Sequence, residues 1–414
     1  MPYVVSYKAP KGKEISLDQI LSCEVDVNQS HKERLYPGTV TRCYDSLPAG
    51  LYTADNIQRL MDKLANLPFV LSDYKVDSRL YKHFQIPKRS GGKRDIYAPT
   101  DTLYAYQVML RTLFEQEFDA QYHTSAFAYC KGRSILYCLK RHQANKSKWF
   151  LKLDFSDFFG NTSMPFVLSQ LKMIAPFSEV LNDTKGSRLL SKALNICFLN
   201  GGLPQGTPIS PMLTNLIMIP IDHELNKRLH DLGFVYTRYA DDLQISHKET
   251  FDPESVIKIV SDVLRQFNAP YEIKKEKTRF GSSSGRNWNL GLMLNKDNRI
   301  TLGHKKHKLM KARIYSFLMD EKNHHPWSLE EVQKLAGQVA YFKSIEPQTV
   351  QYITTQISHK VQMSFDKTLK KRLRNRPISR YGTIASRARV RRRPFATWER
   401  EIIGHWVGND VFDF

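Results

Sequence analysis

Two β-prone runs meet at a pair of acids in this chain: Phe234-Val235-Tyr236-Thr237-Arg238, then Tyr239-Ala240-Asp241-Asp242, then Leu243-Gln244-Ile245-Ser246. Both flanks are rich in β-branched and aromatic residues, so the aspartates are predicted at the tip of a hairpin. A bare two-residue turn would use Asn-Gly or Asp-Gly, which reach positive φ cheaply. Adjacent carboxylates at a tight turn instead repel each other unless a cation lies beside them. Alone, such a pair would pass for a structural turn.

A second run changes its meaning. Trp149-Phe150-Leu151-Lys152-Leu153-Asp154-Phe155-Ser156-Asp157-Phe158-Phe159 is an apolar strand that ends in a carboxylate and runs on into aromatics. Charge is costly there unless it binds something. If the two strand ends converge, Asp154, Asp241 and Asp242 could hold two Mg²⁺ ions, which favour oxygen ligands and share substrate phosphates. Such a pair of ions suits in-line phosphoryl transfer. Between the two acidic sites lies Gly201-Gly202-Leu203-Pro204-Gln205-Gly206-Thr207-Pro208-Ile209-Ser210-Pro211, a loop leading into an apolar helix. Its glycines permit close backbone approach to a ligand, and the helix start offers free N–H groups.

The order Leu-Asp-x-x-Asp-Phe-Phe, Leu-Pro-Gln-Gly-x-Pro-x-Ser-Pro, Tyr-Ala-Asp-Asp resembles motifs A, B and C of reverse transcriptases, in the prokaryotic branch that holds retron, group II intron and abortive-infection or defence-associated enzymes. Upstream, Phe84-Gln85-Ile86-Pro87-Lys88-Arg89-Ser90-Gly91-Gly92-Lys93-Arg94-Asp95-Ile96-Tyr97-Ala98-Pro99 is similar to the family's fingers motif. Downstream, Glu276-Lys277-Thr278 resembles motif D, Leu290-Gly291-Leu292 motif E, and Gly337-Gln338-Val339-Ala340-Tyr341-Phe342 the thumb helix. The resemblance implies an α+β right-hand polymerase with fingers, palm and helical thumb.

It also implies roles. Asp154, Asp241 and Asp242 would be the catalytic metal ligands for two Mg²⁺, or Mn²⁺ in their place, with the backbone carbonyl of Phe155 completing a site. Asp157 is expected to turn away and cap a following helix. Lys88 and Arg94, on either side of a Gly91-Gly92 turn, would contact the incoming triphosphate. Phe159 matches the steric gate that clashes with a 2′-hydroxyl, which favours dNTPs. Gln205 and Gly206 would lie against the templating base and new pair, and Lys277 would protonate the leaving pyrophosphate. Lys131 and Arg133 are expected to face the template, Tyr239 to pack beneath the primer end, and Lys305, Lys306, Lys308, Lys311 and Arg313 to track a nucleic-acid backbone. His304 and His307 lack a third metal ligand nearby and join that basic face.

Charge agrees with such partners. Lys and Arg number 62 against 41 Asp and Glu, a net charge of +21, and residues 371–393 hold ten Lys or Arg and no acid. A polyanion is the expected partner. Five widely spaced cysteines, Cys23, Cys43, Cys130, Cys138 and Cys197, form no C-x-x-C pair and read as reduced thiols. No run approaches the roughly 18 apolar residues of a membrane helix, and no basic start with a following apolar run is seen, so a cytoplasmic protein is expected. Helices are predicted over 54–67, 103–116, 164–174, 187–198, 211–232, 306–319 and 329–342, and strands over 94–97, 149–154, 235–239, 243–247, 271–273 and 290–294.

The expected organisation is an N-terminal extension (1–80), fingers (81–148, with part of 165–205), palm (149–300), helical thumb (301–370) and a basic, then aromatic, C-terminal extension (371–414). The expected partners are an RNA template, a DNA product and dNTPs, with a protein partner or second copy at the extensions and no membrane. Asn289-Leu290-Gly291 stands where retrons commonly show Val-Thr-Gly, and the unassigned extensions suit the defence-associated branch, so copying of a dedicated noncoding RNA in antiphage defence is the expected role. Retron-type synthesis of DNA joined to its RNA, RNA-templated RNA synthesis and a silent RNA-binding scaffold are the alternatives.

Overall fold

The computed structural model describes residues 3–6, 40–43, 53–88, 91–118, 122–285 and 290–374. The chain divides into two compact units, Met1–Gly285 and Arg286–Phe414. The basic run and terminal aromatics of 375–414, most of the first fifty residues, Arg89, Ser90 and Asn289 lie outside the described residues.

In the first unit, strands β1 (Tyr3–Ser6) and β2 (Val40–Cys43) precede helices α1 (Ala54–Ala65) and α2 (Pro68–Leu71). A hairpin follows, β3 (Tyr81–Pro87) and β4 (Lys93–Pro99), then α3 (Asp101–Gln116), α4 (Ile135–Ala144) and β5 (Trp149–Asp154). Next come α5 (Met164–Leu171), β6 (Ile174–Ala175), α6 (Phe177–Asn182), α7 (Thr184–Leu194), α8 (Ser210–Ile217) and α9 (Ile219–Asp231). The unit closes with β7 (Val235–Tyr239), β8 (Asp242–His247), α10 (Pro253–Gln266) and β9 (Arg279–Ser282).

The central sheet has the order β7-β8-β5-β9, all antiparallel, so the apolar strand β5 sits inside it. Helices α4 and α9 lie against β7, and α9 packs on α10. Local chemistry explains the helix ends. Asp252 accepts from the amides of Glu254 and Ser255 to start α10, and Ser134 and Asp183 cap α4 and α7 in the same way. Along α10, Val256, Val260, Val263 and Leu264 form the buried stripe of an amphipathic helix.

The predicted single helix over 211–232 is two helices that meet at Met218, because Pro220 supplies no N–H and its ring crowds the carbonyl one turn earlier. The strand expected at 271–273 reduces to one bridge, Phe155 to Ile273, and that expected at 290–294 shrinks to two residues.

The second unit has a small hairpin, β10 (Met293–Leu294) with β11 (Ile300–Thr301), and then helices only: α11 (His304–Lys322), α12 (Leu329–Ile345), α13 (Pro347–Val361) and α14 (Phe365–Arg374). Ser328 and Glu331 form a reciprocal capping box at the start of α12. Strands mixed with helices, followed by a helical region, make the α+β class expected from the pattern. Among the described residues no helix is long and apolar enough to cross a membrane.

Candidate active site

The register of β5 against β8 puts Asp154 directly opposite Asp242, and that of β7 against β8 puts Tyr239 opposite Asp242. Ala240 and Asp241 make the turn between the strands, with Ala240 at φ +57°. That left-handed conformation costs a residue with a Cβ about 1–2 kcal/mol. The amide of Phe155 donates to the Asp241 carbonyl at 3.1 Å, tying the strand carrying Asp154 to the turn carrying the other two acids. Asp154, remote in sequence from the adjacent Asp241 and Asp242, thus shares one end of one sheet with them.

Their electrostatics are those of crowded like charges. Burial, then Asp242 and Asp154, push the Asp241 carboxyl up to about 6. Burial also raises Asp242, against the pull of Lys152, whose Nζ lies 2.9 Å from Asp242 Oδ1. Asp154 is met by Lys277, whose Nζ donates to its two oxygens at 2.9 and 3.1 Å, and by Lys274 Nζ at 3.5 Å. Burial works against the charge of Lys277, but the hydrogen bond to Asp154 and the surrounding acids outweigh it and hold the ammonium group charged to higher pH.

The donors are hard oxygens, buried at Asp154 and half-buried at Asp241 and Asp242, and mutually repelling, which fits a hard divalent cation. Among the described residues no group of three or more His, Cys, Asp or Glu is arranged as a ready cage. The carboxylates of Asp154 and Asp242 are turned onto lysine ammonium groups.

The remaining walls come from backbone packing. Gly202 crosses Gly160 so closely that a methyl group on Gly202 would collide with the Gly160 backbone, and Leu203 N donates to Phe159 O at 3.0 Å. Phe159 is half-buried, its ring edge-on to Phe158. On the other side of the loop, Tyr97 N donates to Gln205 O at 2.8 Å, and Gly206, at φ +106°, leaves no space for a Cβ beside Ile96. Thr207 and Ser210 share a hydroxyl hydrogen bond of 2.6 Å, and Ser210 Oγ donates to Pro204 O at 3.0 Å, closing the loop on itself. The β3–β4 hairpin turns where Lys88 N donates to Gly92 O at 2.9 Å, and the Lys88 and Arg94 residues are exposed.

Several expected positions are corrected by the geometry. Asp157 caps no helix: its carboxylate lies over Gly160, and the next helix starts only at Met164. Arg133 does not face outward as a template contact, since its guanidinium is pinned to the carbonyls of His123 at 2.6 Å, Ala126 at 2.5 Å and Tyr122 at 3.4 Å. Its neighbour Lys131 is exposed.

In the second unit, Lys306 is buried with its Nζ on Gly291 O at 3.0 Å, and Arg313 donates to Gln338 Oε1 at 2.6 Å. Neither therefore belongs to a backbone-tracking face. Lys305, Lys308 and Lys311, at three-residue spacing on α11, are the exposed members of that group. His307 pairs with Glu346 at 2.8 Å rather than with His304.

Sequence reasoning missed Lys152 and Lys274 beside the carboxylates, and it missed Arg238 and Asp222 behind them. Arg238 is completely buried in β7 and paired to an equally buried Asp222 at 2.7 Å. A signal existed: an arginine between strand residues, and an aspartate in the apolar run Ile219-Pro220-Ile221-Asp222, each require a partner.

Residues 86–328 match the family described as reverse transcriptase (RNA-dependent DNA polymerase). The chain is 27% identical over 282 residues to the retron Ec73 reverse transcriptase of Escherichia coli, which covers 64% of this chain and 83% of that one. It is 28% identical over 277 residues to the retron Ec83 reverse transcriptase of the same organism, with the same coverage. The Asn289-Leu290-Gly291 departure therefore does not set it apart from retron-type enzymes. Apo telomerase from Candida Tropicalis gives a TM-score of 0.40 at 12% identity, over 80% of this chain and 70% of that one. With more than half of its length matched and an α+β body as a right-hand polymerase requires, this chain belongs to the reverse transcriptase family, the RNA-directed DNA polymerases.

Proposed function

We propose that the chain adds dNTPs to a primer 3′-hydroxyl opposite an RNA template, with Asp154, Asp241 and Asp242 holding two Mg²⁺ ions. The observation that carries this reading is the β5–β8 register, which sets Asp154 opposite Asp242 beside the turn that bears Asp241. When bound, the ions supply positive charge at the attacking oxygen and the leaving phosphate. The 3′-hydroxyl loses its proton to solvent, its oxygen forms a bond to the α-phosphorus as the bond to the bridging oxygen breaks, and pyrophosphate departs.

The side chains then divide the work. Lys277, already within reach of the acids, gives its proton to the departing pyrophosphate. Lys88 and Arg94 on the exposed hairpin take the triphosphate, and Phe159 lies under the sugar. Gln205 and Gly206, backed by β4, support the new base pair. Lys131, Tyr239, Lys305, Lys308 and Lys311 meet the nucleic acid. Residues 81–148, 149–300 and 301–370 act as fingers, palm and thumb. Mn²⁺ substitutes for Mg²⁺ on the same oxygen donors.

The likeness to retron enzymes supports a dedicated noncoding RNA as template, and antiphage defence is the role we assign by analogy at family level. The test is dNTP incorporation by purified protein with Mg²⁺ beside the Asp241→Ala/Asp242→Ala variant, using only nucleic acid that copurifies and sequencing both template and product. DNA complementary to one bound RNA, made by the wild type alone, supports the reading. If neither protein makes DNA even on an added primed RNA, while the variant still protects cells from phage, the chain is an RNA-binding scaffold.

A further inference from the structure

Behind the catalytic turn lies a buried polar assembly that the chemistry above does not use. Arg238 spreads its guanidinium over three elements. Nε donates to Asp222 Oδ1 at 2.9 Å and Nη2 to Asp222 Oδ2 at 2.7 Å, a two-pronged pair that reaches α9. Nη1 donates to Asn215 Oδ1 on α8 at 3.1 Å and to the carbonyl oxygen of Ala240 at 3.1 Å. The supports are themselves fixed: the Tyr236 hydroxyl donates to Asp222 Oδ1 at 2.8 Å, and Asn215 Nδ2 donates to Ala128 O at 2.7 Å. The Arg238 backbone is held as well, its N–H donating to Ser125 O at 2.7 Å and its carbonyl accepting from Phe127 N at 2.8 Å.

Ala240 is the left-handed residue of the turn. Its carbonyl belongs to the peptide plane that leads into Asp241, so a donor fixed on that oxygen fixes the direction in which both aspartates leave the turn. Stability alone does not call for this device, because buried ion pairs are often replaceable by apolar side chains of similar volume without loss. The planar fork of arginine holds a carboxylate with one edge and reaches a further acceptor with another, which a lysine ammonium cannot do.

We propose that Arg238 is a positioning residue for DNA synthesis: through its Nη1 contact with Ala240 it aims the Asp241-Asp242 turn, while Asp222 and Asn215 hold the guanidinium in place. The proposal rests on the catalytic reading of that turn. Two variants test it. Arg238→Lys keeps a cation against Asp222 and loses the fork. The triple variant Tyr236→Phe/Asp222→Leu/Arg238→Met replaces the whole pair by apolar groups.

In each, kcat for dNTP incorporation falls roughly 10- to 100-fold, the scale of an ångström-level misplacement. The KM for dNTP and the affinity for primed RNA stay as in the wild type. Hydrogen exchange quickens at the amides of residues 239–243 and not across the sheet as a whole. A wild-type kcat in either folded variant, a fall in kcat without the local change in exchange, or a change confined to KM overturns the proposal. Collapse of the fold in both overturns it too, since the group is then a brace and nothing more. If the wild type makes no DNA, the catalytic reading fails on its own, and the exchange comparison still decides whether Arg238 holds the turn.

Discussion

Two groups of buried charge lie on either side of Ala240, and they are built on opposite plans. Arg238 and Asp222 are both fully buried, opposite in charge and bonded at 2.7 Å. Burial opposes the arginine's charge, yet Asp222 more than restores it and raises its pKa. Asp154, Asp241 and Asp242 are instead three like charges sharing one sheet end, countered from the side by lysines. A balanced pair asks nothing of the solvent and can serve as framework. Carboxylates crowded at one strand end attract cations, here the ammonium groups of lysines, and fold stability gains little from their crowding.

The sharpest way to break this contrast is to remove the acids. Asp241→Ala/Asp242→Ala is expected to lower DNA synthesis by roughly 10³-fold or more, as loss of preorganised charge at a reacting centre does. Its melting temperature should equal or exceed that of the wild type, because repulsion is relieved; a marked drop in melting temperature would contradict the contrast. The converse holds for the balanced pair. Arg238→Met leaves Asp222 buried and alone, and unfolding by denaturant should show a loss of about 3–5 kcal/mol.

A third buried group sharpens the picture because it carries no charge at all. His142 bridges β7 and β8, with Nδ1 2.6 Å from Ser246 Oγ and Nε2 2.9 Å from Thr237 Oγ1. Burial, helped by Arg141, drives its imidazole down to about 3. The unfolded chain takes up a proton as pH falls below about 6.5 and the folded one does not, so stability is lost on acidification. Between pH 7 and pH 5 this group should contribute a loss of about 2 kcal/mol. His142→Gln should flatten that part of the denaturation profile, whereas an unchanged slope would mean that the imidazole titrates freely. The smallest effect is expected at Lys152, whose pair with Asp242 is partly open to solvent. Lys152→Met should change the unfolding free energy by about 1 kcal/mol, within the range of such pairs.

The same contrast explains what could be read before folding. Strands β5, β7 and β8 were legible because apolar alternation and a carboxylate at a strand end survive as local patterns, and the order of the acidic and glycine-rich motifs pointed to the family. Pairing was not legible. Nothing local to Asp222 says that Arg238, sixteen residues on, will reach it. Arg133, Lys306 and Arg313 were misread for the same reason: a cation looks solvated in a sequence, and only tertiary structure supplies the carbonyl or amide oxygen that draws it inward. The break at Met218, by contrast, was written in Pro220 and needed only the proline to be given its full weight.

The crossing of Gly202 over Gly160 has a further consequence, for how such an enzyme can change. With no space for even a methyl group between the two backbones, and with Leu203 N bonded to Phe159 O, the segment that carries Phe159 and the loop that carries Gln205 are packed backbone to backbone. On the roles proposed above, shifting the Phe159 ring to admit a different sugar would displace the loop that supports the base, and reshaping that loop would move the ring. On those proposed roles sugar choice and copying accuracy would be geared together, so an engineer or a lineage seeking one without the other would first have to prise apart two glycines.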